Sequence, residues 1–210
     1  DIFLNDSNKT FKVSLEFKPF YLTSNLNYQT FRIRDLLNNP FFIEILKSQI
    51  LNNKNLNALM NFDVKNVYDF DRFSDLSLKL KIEDGNYNFS NSNITWKENV
   101  KVLFSDAFLN FDKGKINLNG RTSLDVKDKD EFFKFFQIKK ELRKNIDKIE
   151  LDFNYDLNEE KITFDNLRID NKSNKEIEEI ISNFNSSNKR FLNKITFKNF
   201  VNDILIAYFG

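Results

Sequence analysis

The chain has 210 residues, and its 32 Lys and Arg against 31 Asp and Glu leave a formal net charge of +1. It contains neither cysteine nor histidine, which excludes disulfides, thiolate nucleophiles, Ser-His-Asp triads and the commonest zinc sites. The near-zero charge argues against a nucleic-acid partner, because counterion release requires a cationic surface. We therefore expect neither an enzyme nor a cofactor.

Apolar and polar residues alternate along much of the chain, and this period of two predicts β-strands. The first strand covers residues 11–18, where apolar side chains occupy the odd positions up to Phe17. A helix is predicted over about 40–51, because Asn39 is a good N-cap and Pro40 is tolerated in a first turn.

Three long hairpins follow, over residues 76–94, 100–126 and 149–170. Asp84-Gly85 is a typical two-residue hairpin turn between the strands of the first hairpin. In the last hairpin the alternation slips near Asn166, which predicts a β-bulge.

Two helical regions interrupt and close this pattern. Asp128 followed by Glu131 predicts the start of a helix over about 129–146. Ser173 followed by Glu176 predicts a second capping box, which opens a C-terminal helical cap over about 173–209.

The predicted fold is α+β. We expect a meander of long hairpins that forms an antiparallel, strongly twisted, groove-like sheet, with amphipathic helices on its apolar face and at its C-terminus. We expect residues 1–210 to be a single domain cut from a longer protein.

The apolar face of the predicted sheet is the feature of the sequence that suggests a function. Either helices of the protein or acyl chains of lipid are able to pack on this face, because burial of apolar surface is favourable in both cases. The candidate lipid-binding residues alternate inward on the strands; they are Leu76, Leu78, Leu80, Ile82, Phe104, Ile116, Leu118, Leu124, Val126, Leu151, Phe153 and Tyr155.

Two stretches of the sequence resemble a known family. Ile116–Gly120 reads INLNG and Ile162–Asp170 reads ITFDNLRID, within a similar region that extends over Val100–Asn171. They resemble the strand pattern in the C-terminal region of AsmA-like proteins. These are large bacterial envelope proteins that one helix anchors in the inner membrane.

The resemblance implies an elongated β-groove that passes phospholipid from the inner to the outer membrane and supports outer-membrane integrity. It implies a periplasmic location and a membrane anchor in a segment outside this chain, with phospholipid acyl chains and other envelope proteins as partners. It implies no catalysis and no cofactor. The helical content is high for an open groove, so this piece is also interpretable as the end cap of a groove.

Two alternatives remain open at this stage. One is a closed-core structural or interaction domain that contacts a protein partner through exposed aromatic residues, around Phe133 or in the last helix. The other is a hydrolase that uses paired carboxylates, for which the cluster at Asp128, Asp130 and Glu131 is a candidate. Acidic residues at a helix start are more simply explained by capping and by the helix dipole.

Overall fold

The structure is a computed structural model, in which one mixed β-sheet is followed by helices toward the C-terminus. The predicted α+β class, with a long, mainly antiparallel meander, is confirmed. The structure describes residues 2–18, 20–32, 44, 46–48, 52–68, 73–97, 99–112, 114–187 and 194–210.

Eleven described strands form a single sheet. Most are longer than the five to six residues that are usual in globular proteins. They are β1 (Ile2–Asn5), β2 (Lys9–Phe17), β3 (Phe20–Phe31), β4 (Asn57–Val67), β5 (Phe73–Glu83), β6 (Asn86–Asn88), β7 (Ser92–Trp96), β8 (Val100–Asp112), β9 (Lys115–Val126), β10 (Lys148–Asp156) and β11 (Lys161–Ile169).

The strands follow one another in chain order from β1 to β11, except that the short β6 and β7 lie end to end between β5 and β8. Neighbours pair antiparallel at every junction except one. β3 and β4 are parallel, with Leu22 opposite Ala58 and Tyr28 opposite Val64. Residues 32–56 connect these two strands, and a parallel pair requires a long crossover connection of this kind.

The predicted hairpin features are confirmed. Asp84 and Gly85 both have positive φ, at 52° and 78°, as a two-residue turn of type I′ requires. The register of β10 and β11 shifts after Glu150, and Asn166 has a φ of 51°, so the predicted bulge is present.

The predicted helix over 129–146 is wrong in its length. α1 spans only Lys129–Phe135, and a short 3-10 turn follows at Lys140–Leu142. The helix ends because Gln137 adopts a left-handed φ of 59° directly after the C-cap residue Phe136. Its start is as predicted, since the Asp128 carboxylate accepts a hydrogen bond from the Glu131 backbone N–H at 3.0 Å.

Two helices form the predicted C-terminal cap, α2 (Lys175–Ser186) and α3 (Lys194–Phe209). The predicted cap at Ser173 is wrong by one residue, because Asn174 accepts from the Ile177 backbone N–H at 2.9 Å. The two positions carry equally good capping residues, and the Asn174 side chain also donates to the Ala207 carbonyl at 3.1 Å. This second hydrogen bond ties the start of α2 to α3.

The predicted helix over about 40–51 falls mostly outside the described residues. Within them, Leu46 is buried and packs in one cluster with Ala58, Ile82 and Ile116. Leu46 therefore places part of this connection against the apolar face of the central strands.

Candidate functional site

An unbroken row of apolar side chains runs across the sheet. It starts at Leu15 in β2 and ends at Ile162 in β11, and each member lies opposite the next in the strand register. Because opposite residues project from the same face of a sheet, the row defines that face. It consists of Leu15, Leu22, Ala58, Ile82, Tyr87, Leu109, Leu118, Tyr155 and Ile162.

The structure places all twelve candidate residues on this face. Ile82, Leu118 and Tyr155 are members of the row itself. The other candidates occupy the same parity on their strands; they are Leu76, Leu78, Leu80, Phe104, Ile116, Leu124, Val126, Leu151 and Phe153. The alternation predicted from the sequence therefore identifies residues that share one face of the sheet. The protein elements that pack on this face differ from one region to the next.

Helices cover this face over β8 to β11. Val126, Leu151 and Phe153 belong to a buried cluster with side chains of all three helices. Phe104, Leu118 and Leu124 pack against the same cluster. The helical members of this cluster include Phe132, Phe133, Ile177, Phe184, Phe200 and Leu205. In this region protein fills the apolar face, as the closed-core alternative predicts.

The exposed aromatic patch expected around Phe133 is not present. Phe133 is 3% exposed, and its ring packs against the ring of Phe209 at 5.6 Å. Lys144 donates to the Phe209 carbonyl at 2.6 Å, which satisfies a carbonyl at the C-terminal end of α3. The aromatic cluster of α1 therefore serves to bind α3 to the sheet.

The middle of the face, over β4 to β6, is also largely buried. Ile82 and Tyr87 are 4% and 2% exposed. The Tyr87 hydroxyl has no hydrogen-bond partner among the described residues, and burial raises the pKa of Tyr87 to about 12. An unpaired buried hydroxyl costs free energy, so this part of the face is not optimised as a dry protein core.

The N-terminal part of the face lies outside the cover of α1, α2 and α3. We define the N-terminal apolar face as Phe11, Val13, Leu15, Leu22 and Leu26, on β2 and β3. Leu15 is 39% exposed, and the other four are half-buried. None of these side chains belongs to the cluster that α1, α2 and α3 form, and Leu22 packs against the cluster that contains Leu46. Ser24, which lies between Leu22 and Leu26 on the same face, is 2% exposed. Along the apolar row, Ala58, Ile82 and Tyr87 in the middle are buried, the members from Leu109 to Ile162 are half-buried, and Leu15 at the β2 end is exposed.

The opposite face of the sheet is polar, and its groups pair with one another. Asn61 donates to the Asn25 side chain at 2.8 Å, between β4 and β3. Arg121 makes two hydrogen bonds to the Asp152 carboxylate, at 2.7 and 3.3 Å, and Asn166 donates to the same carboxylate at 2.8 Å. The sheet therefore has one polar face, which is suited to contact with water, and one apolar face, which is suited to contact with apolar groups.

The acidic residues that suggested hydrolase chemistry have structural partners. Asp128 caps α1, and Glu131 forms an ion pair with Lys97 at 3.2 Å. A polar cleft of about 670 Å³ lies between β11 and α2. Asn185 and Asn166 in its lining are engaged in hydrogen bonds to the sheet. In the part of the chain that the structure describes, no three acidic side chains converge as a metal site.

β3 and β4, which follow β2 in the sheet, are not among the strands predicted from the sequence. Their inward residues alternate in the same way, with Leu22 and Leu26 on β3 and Met60 and Phe62 on β4. The segment from Asn57 to Val64 reads NALMNFDV, so a count of alternating positions is sufficient to find it.

Comparisons of the chain with protein-family models, with curated proteins and with solved structures found no match. Among the described helices, none combines the length and the apolar character needed to cross a bilayer.

Proposed function

We propose that the apolar face of the sheet binds the acyl chains of phospholipid. In this proposal the chain is a non-enzymatic envelope protein of the AsmA-like type, which helps lipid pass between the inner and the outer membrane. The observation that carries the proposal is the apolar row from Leu15 to Ile162, which crosses nine strands and whose only polar side-chain groups are the hydroxyls of Tyr87 and Tyr155.

The length of the row suits an acyl chain. Nine strands at about 4.8 Å spacing span about 38 Å across the sheet. The hydrocarbon core of a bilayer is about 30 Å thick, so the acyl chains of one leaflet need about 15 Å. The row is therefore longer than one lipid tail, and successive tails are able to occupy it along the same direction.

The contacts are expected to be non-directional. Acyl chains gain free energy by leaving water, and apolar side chains such as Leu22 and Leu26 provide surface without fixed hydrogen-bonding groups. Such a surface does not select a head group. We therefore expect binding to depend on apolar area more than on the identity of any one residue.

The helices α1, α2 and α3 pack on the C-terminal strands of the face but not on β2 and β3, so we propose different roles for these two ends. The N-terminal apolar face, whose outermost residue Leu15 is 39% exposed, is the part proposed to hold lipid, in a groove formed by twist of the sheet. The C-terminal strands, filled by α1, α2 and α3, are proposed to close that groove as an end cap. The candidates Leu151 and Phe153 then serve the cap, and Leu78 and Leu80 lie nearer the lipid.

The cellular location belongs to the same proposal. Transfer between two membranes requires a protein in the space between them, so we propose a periplasmic protein held to the inner membrane by a segment outside this chain. The balanced charge is compatible with lipid as the main partner, because acyl-chain binding needs no cationic surface.

A second candidate function is a closed-core domain that caps a larger β-assembly without lipid contact. The filled cluster beneath the helices favours it for β8 to β11. The exposed side chains of Ile195 and Ile206 on α3, at 71% and 42%, are then the expected contacts for a protein partner. The two candidates differ in what the N-terminal apolar face holds.

The proposal is tested by native mass spectrometry of the chain purified from bacteria, followed by organic extraction and lipid analysis. The informative variant is Leu26→Asp, which places a charge on the N-terminal apolar face. Its matched control is Asn27→Asp, because the next residue of β3 projects from the polar face and is exposed.

We expect phospholipid to accompany the wild-type chain and the Asn27→Asp variant, and to be lost from Leu26→Asp. Circular dichroism of all three proteins verifies the fold. A wild-type chain that is folded, free of lipid and unable to take up a fluorescent phospholipid contradicts lipid binding and favours the closed-core function.

A further inference from the structure

We propose that the tip of the hairpin between β2 and β3 inserts into the interfacial region of a lipid bilayer. We define the hairpin tip as Phe17, Lys18 and Phe20. Phe17 is 74% exposed, more than any other large hydrophobic side chain that the structure describes, and Phe20 is 37% exposed. Two aromatic rings therefore project into solvent at the end of a tight turn.

The hairpin tip continues into further exposed apolar surface. Phe17 lies opposite Phe20, and their rings meet edge to face at 6.5 Å. The next pair inward is Leu15 with Leu22, and Leu15 is also exposed. On β1, Ile2 lies opposite Val13 on the same face and is 60% exposed. These residues form one patch at one end of the N-terminal apolar face.

The area of the patch favours a bilayer over a protein partner. An aromatic side chain buries about 150–250 Å², so the two rings with Leu15 and Ile2 offer roughly 600 Å² at most. A stable protein interface needs about 800 Å² on each partner, with matched shape. A bilayer requires no complementary shape, and each inserted side chain contributes its own transfer free energy.

The chemistry of the turn also suits a membrane surface. Lys18 is exposed at the apex, next to Phe17. A lysine carries its charge on a long apolar stem, so its ammonium group is able to reach lipid phosphates while the neighbouring rings enter the acyl region. An aromatic pair beside a lysine is thus adapted to the boundary between head groups and acyl chains.

This inference is independent of the proposed lipid transfer. It assigns a membrane contact to the hairpin tip and stands whether or not the N-terminal apolar face carries acyl chains. If both proposals hold, the hairpin tip lies where lipid leaves the bilayer and reaches Leu15 and Leu22.

The test is co-sedimentation of the chain with vesicles of phosphatidylcholine containing a quarter phosphatidylglycerol. We expect the wild-type chain to bind and the double variant Phe17→Ser with Phe20→Ser to bind about 30-fold more weakly, because two half-inserted rings are lost. The matched control is Phe3→Ser. Phe3 is 64% exposed but lies opposite Lys12 on the polar face, so its loss leaves vesicle binding unchanged.

A second measurement reports insertion directly. Phe17→Trp in a Trp96→Phe background carries one tryptophan, whose emission is expected to shift to shorter wavelength with vesicles and to be quenched by brominated acyl chains. Failure of the wild-type chain to bind vesicles overturns the inference, as does equal loss of binding in the Phe3→Ser control. Self-association that the double variant abolishes, without vesicle binding, overturns it in favour of a protein contact.

The two proposals fail in different ways. If the double variant loses vesicle binding but still takes up fluorescent phospholipid presented in detergent, the hairpin tip is a membrane contact and the N-terminal apolar face binds lipid without it. If vesicle binding is normal and uptake is absent in the wild-type chain, the transfer proposal fails and this inference stands.

Discussion

Asn185 of α2 pairs with the backbone of Phe164 at the last strand of the sheet. Its side-chain oxygen accepts from the Phe164 N–H at 2.9 Å, and its side-chain nitrogen donates to the Phe164 carbonyl at 2.8 Å. The amide thus takes the place of a neighbouring strand. Since an unpaired edge is a template for association, this contact protects the β11 edge.

The first prediction follows from that pair. Asn185→Ala leaves the N–H and the carbonyl of Phe164 without their partner, so the free energy of unfolding is expected to fall by about 1–3 kcal/mol. The exposed edge is also expected to increase self-association. Chemical denaturation and light scattering measure the two effects. Asn183→Ala, on an exposed position of the same helix, serves as the control and is expected to change neither.

The second prediction concerns the close approach of β8 and β9. A Cβ added at Gly120 would lie 2.8 Å from the Ala107 Cα and 3.2 Å from the Phe153 ring. Gly120→Ala therefore forces a shift of β8 and is expected to lower the free energy of unfolding by about 1–3 kcal/mol. Ser123→Ala, on the same strand, is expected to stay within about 0.5 kcal/mol. Equal stability of the two variants in urea would show that the strands are further apart.

The third prediction is an alkaline loss of stability centred on Tyr87. Burial raises the pKa of Tyr87 to about 12, above the ordinary value of 10.0 for tyrosine. The folded chain therefore holds the phenol proton more tightly than the unfolded chain, and stability falls as pH rises from 10 toward 12. The Tyr87 contribution to the loss is about 2 kcal/mol at pH 11.5.

The variant Tyr87→Phe isolates this contribution. It removes the ionising group together with a hydroxyl that has no partner among the described residues, so it is expected to equal or exceed the wild-type stability at pH 8. Between pH 10 and 11.5 its stability is expected to decline less than that of the wild type. Parallel alkaline declines in the two proteins would contradict the burial of Tyr87.

The fourth prediction concerns the polar face. The hydrogen bonds from Arg121 and Asn166 lower the pKa of the Asp152 carboxylate, with Arg121 as the larger cause. A depressed carboxyl pKa contributes stability that is present above pH 4 and is lost as pH falls through the folded pKa. Asp152→Asn is therefore expected to be less stable at pH 7, with a shallower acid decline.

The size of this effect is modest because the pair is partly solvated. The Arg121 and Asp152 side chains are 53% and 27% exposed, so the expected loss at pH 7 is about 1 kcal/mol. Denaturation at pH 7 and pH 2.5 compares the variant with the wild type. A variant whose acid decline is as steep as that of the wild type would exclude Asp152 as a source of acid sensitivity.

Much of the three later hairpins was predictable because their signals are local, but the return strand of the first is split into the short β6 and β7. Alternation over residues 149–170, the Asp84-Gly85 turn and the slip at Asn166 each act within a few residues, and the structure contains all three. Local patterns also placed all twelve candidate residues on one face. The sequence did not show which of them helices cover, because that depends on contacts such as Phe133 with Phe209.

The errors have physical causes that lie beyond the local pattern. The parallel pairing of β3 with β4 requires a crossover between them, and strand alternation does not encode strand direction. The end of α1 depends on the left-handed conformation of Gln137, a residue with no special preference for it. The choice of Asn174 over Ser173 as cap depends on the distant Ala207 carbonyl.

The central claim is that lipid tails contact the apolar face at β3, and photo-crosslinking in a Gram-negative bacterium tests it most directly. A benzophenone amino acid replaces Leu26 in one protein and Asn27 in the other, so that neighbouring positions probe opposite faces of the same strand. We predict that irradiation attaches phospholipid at position 26 and not at position 27, as measured by mass spectrometry of the purified protein. Absence of lipid at position 26, or equal labelling at both positions, would contradict the account.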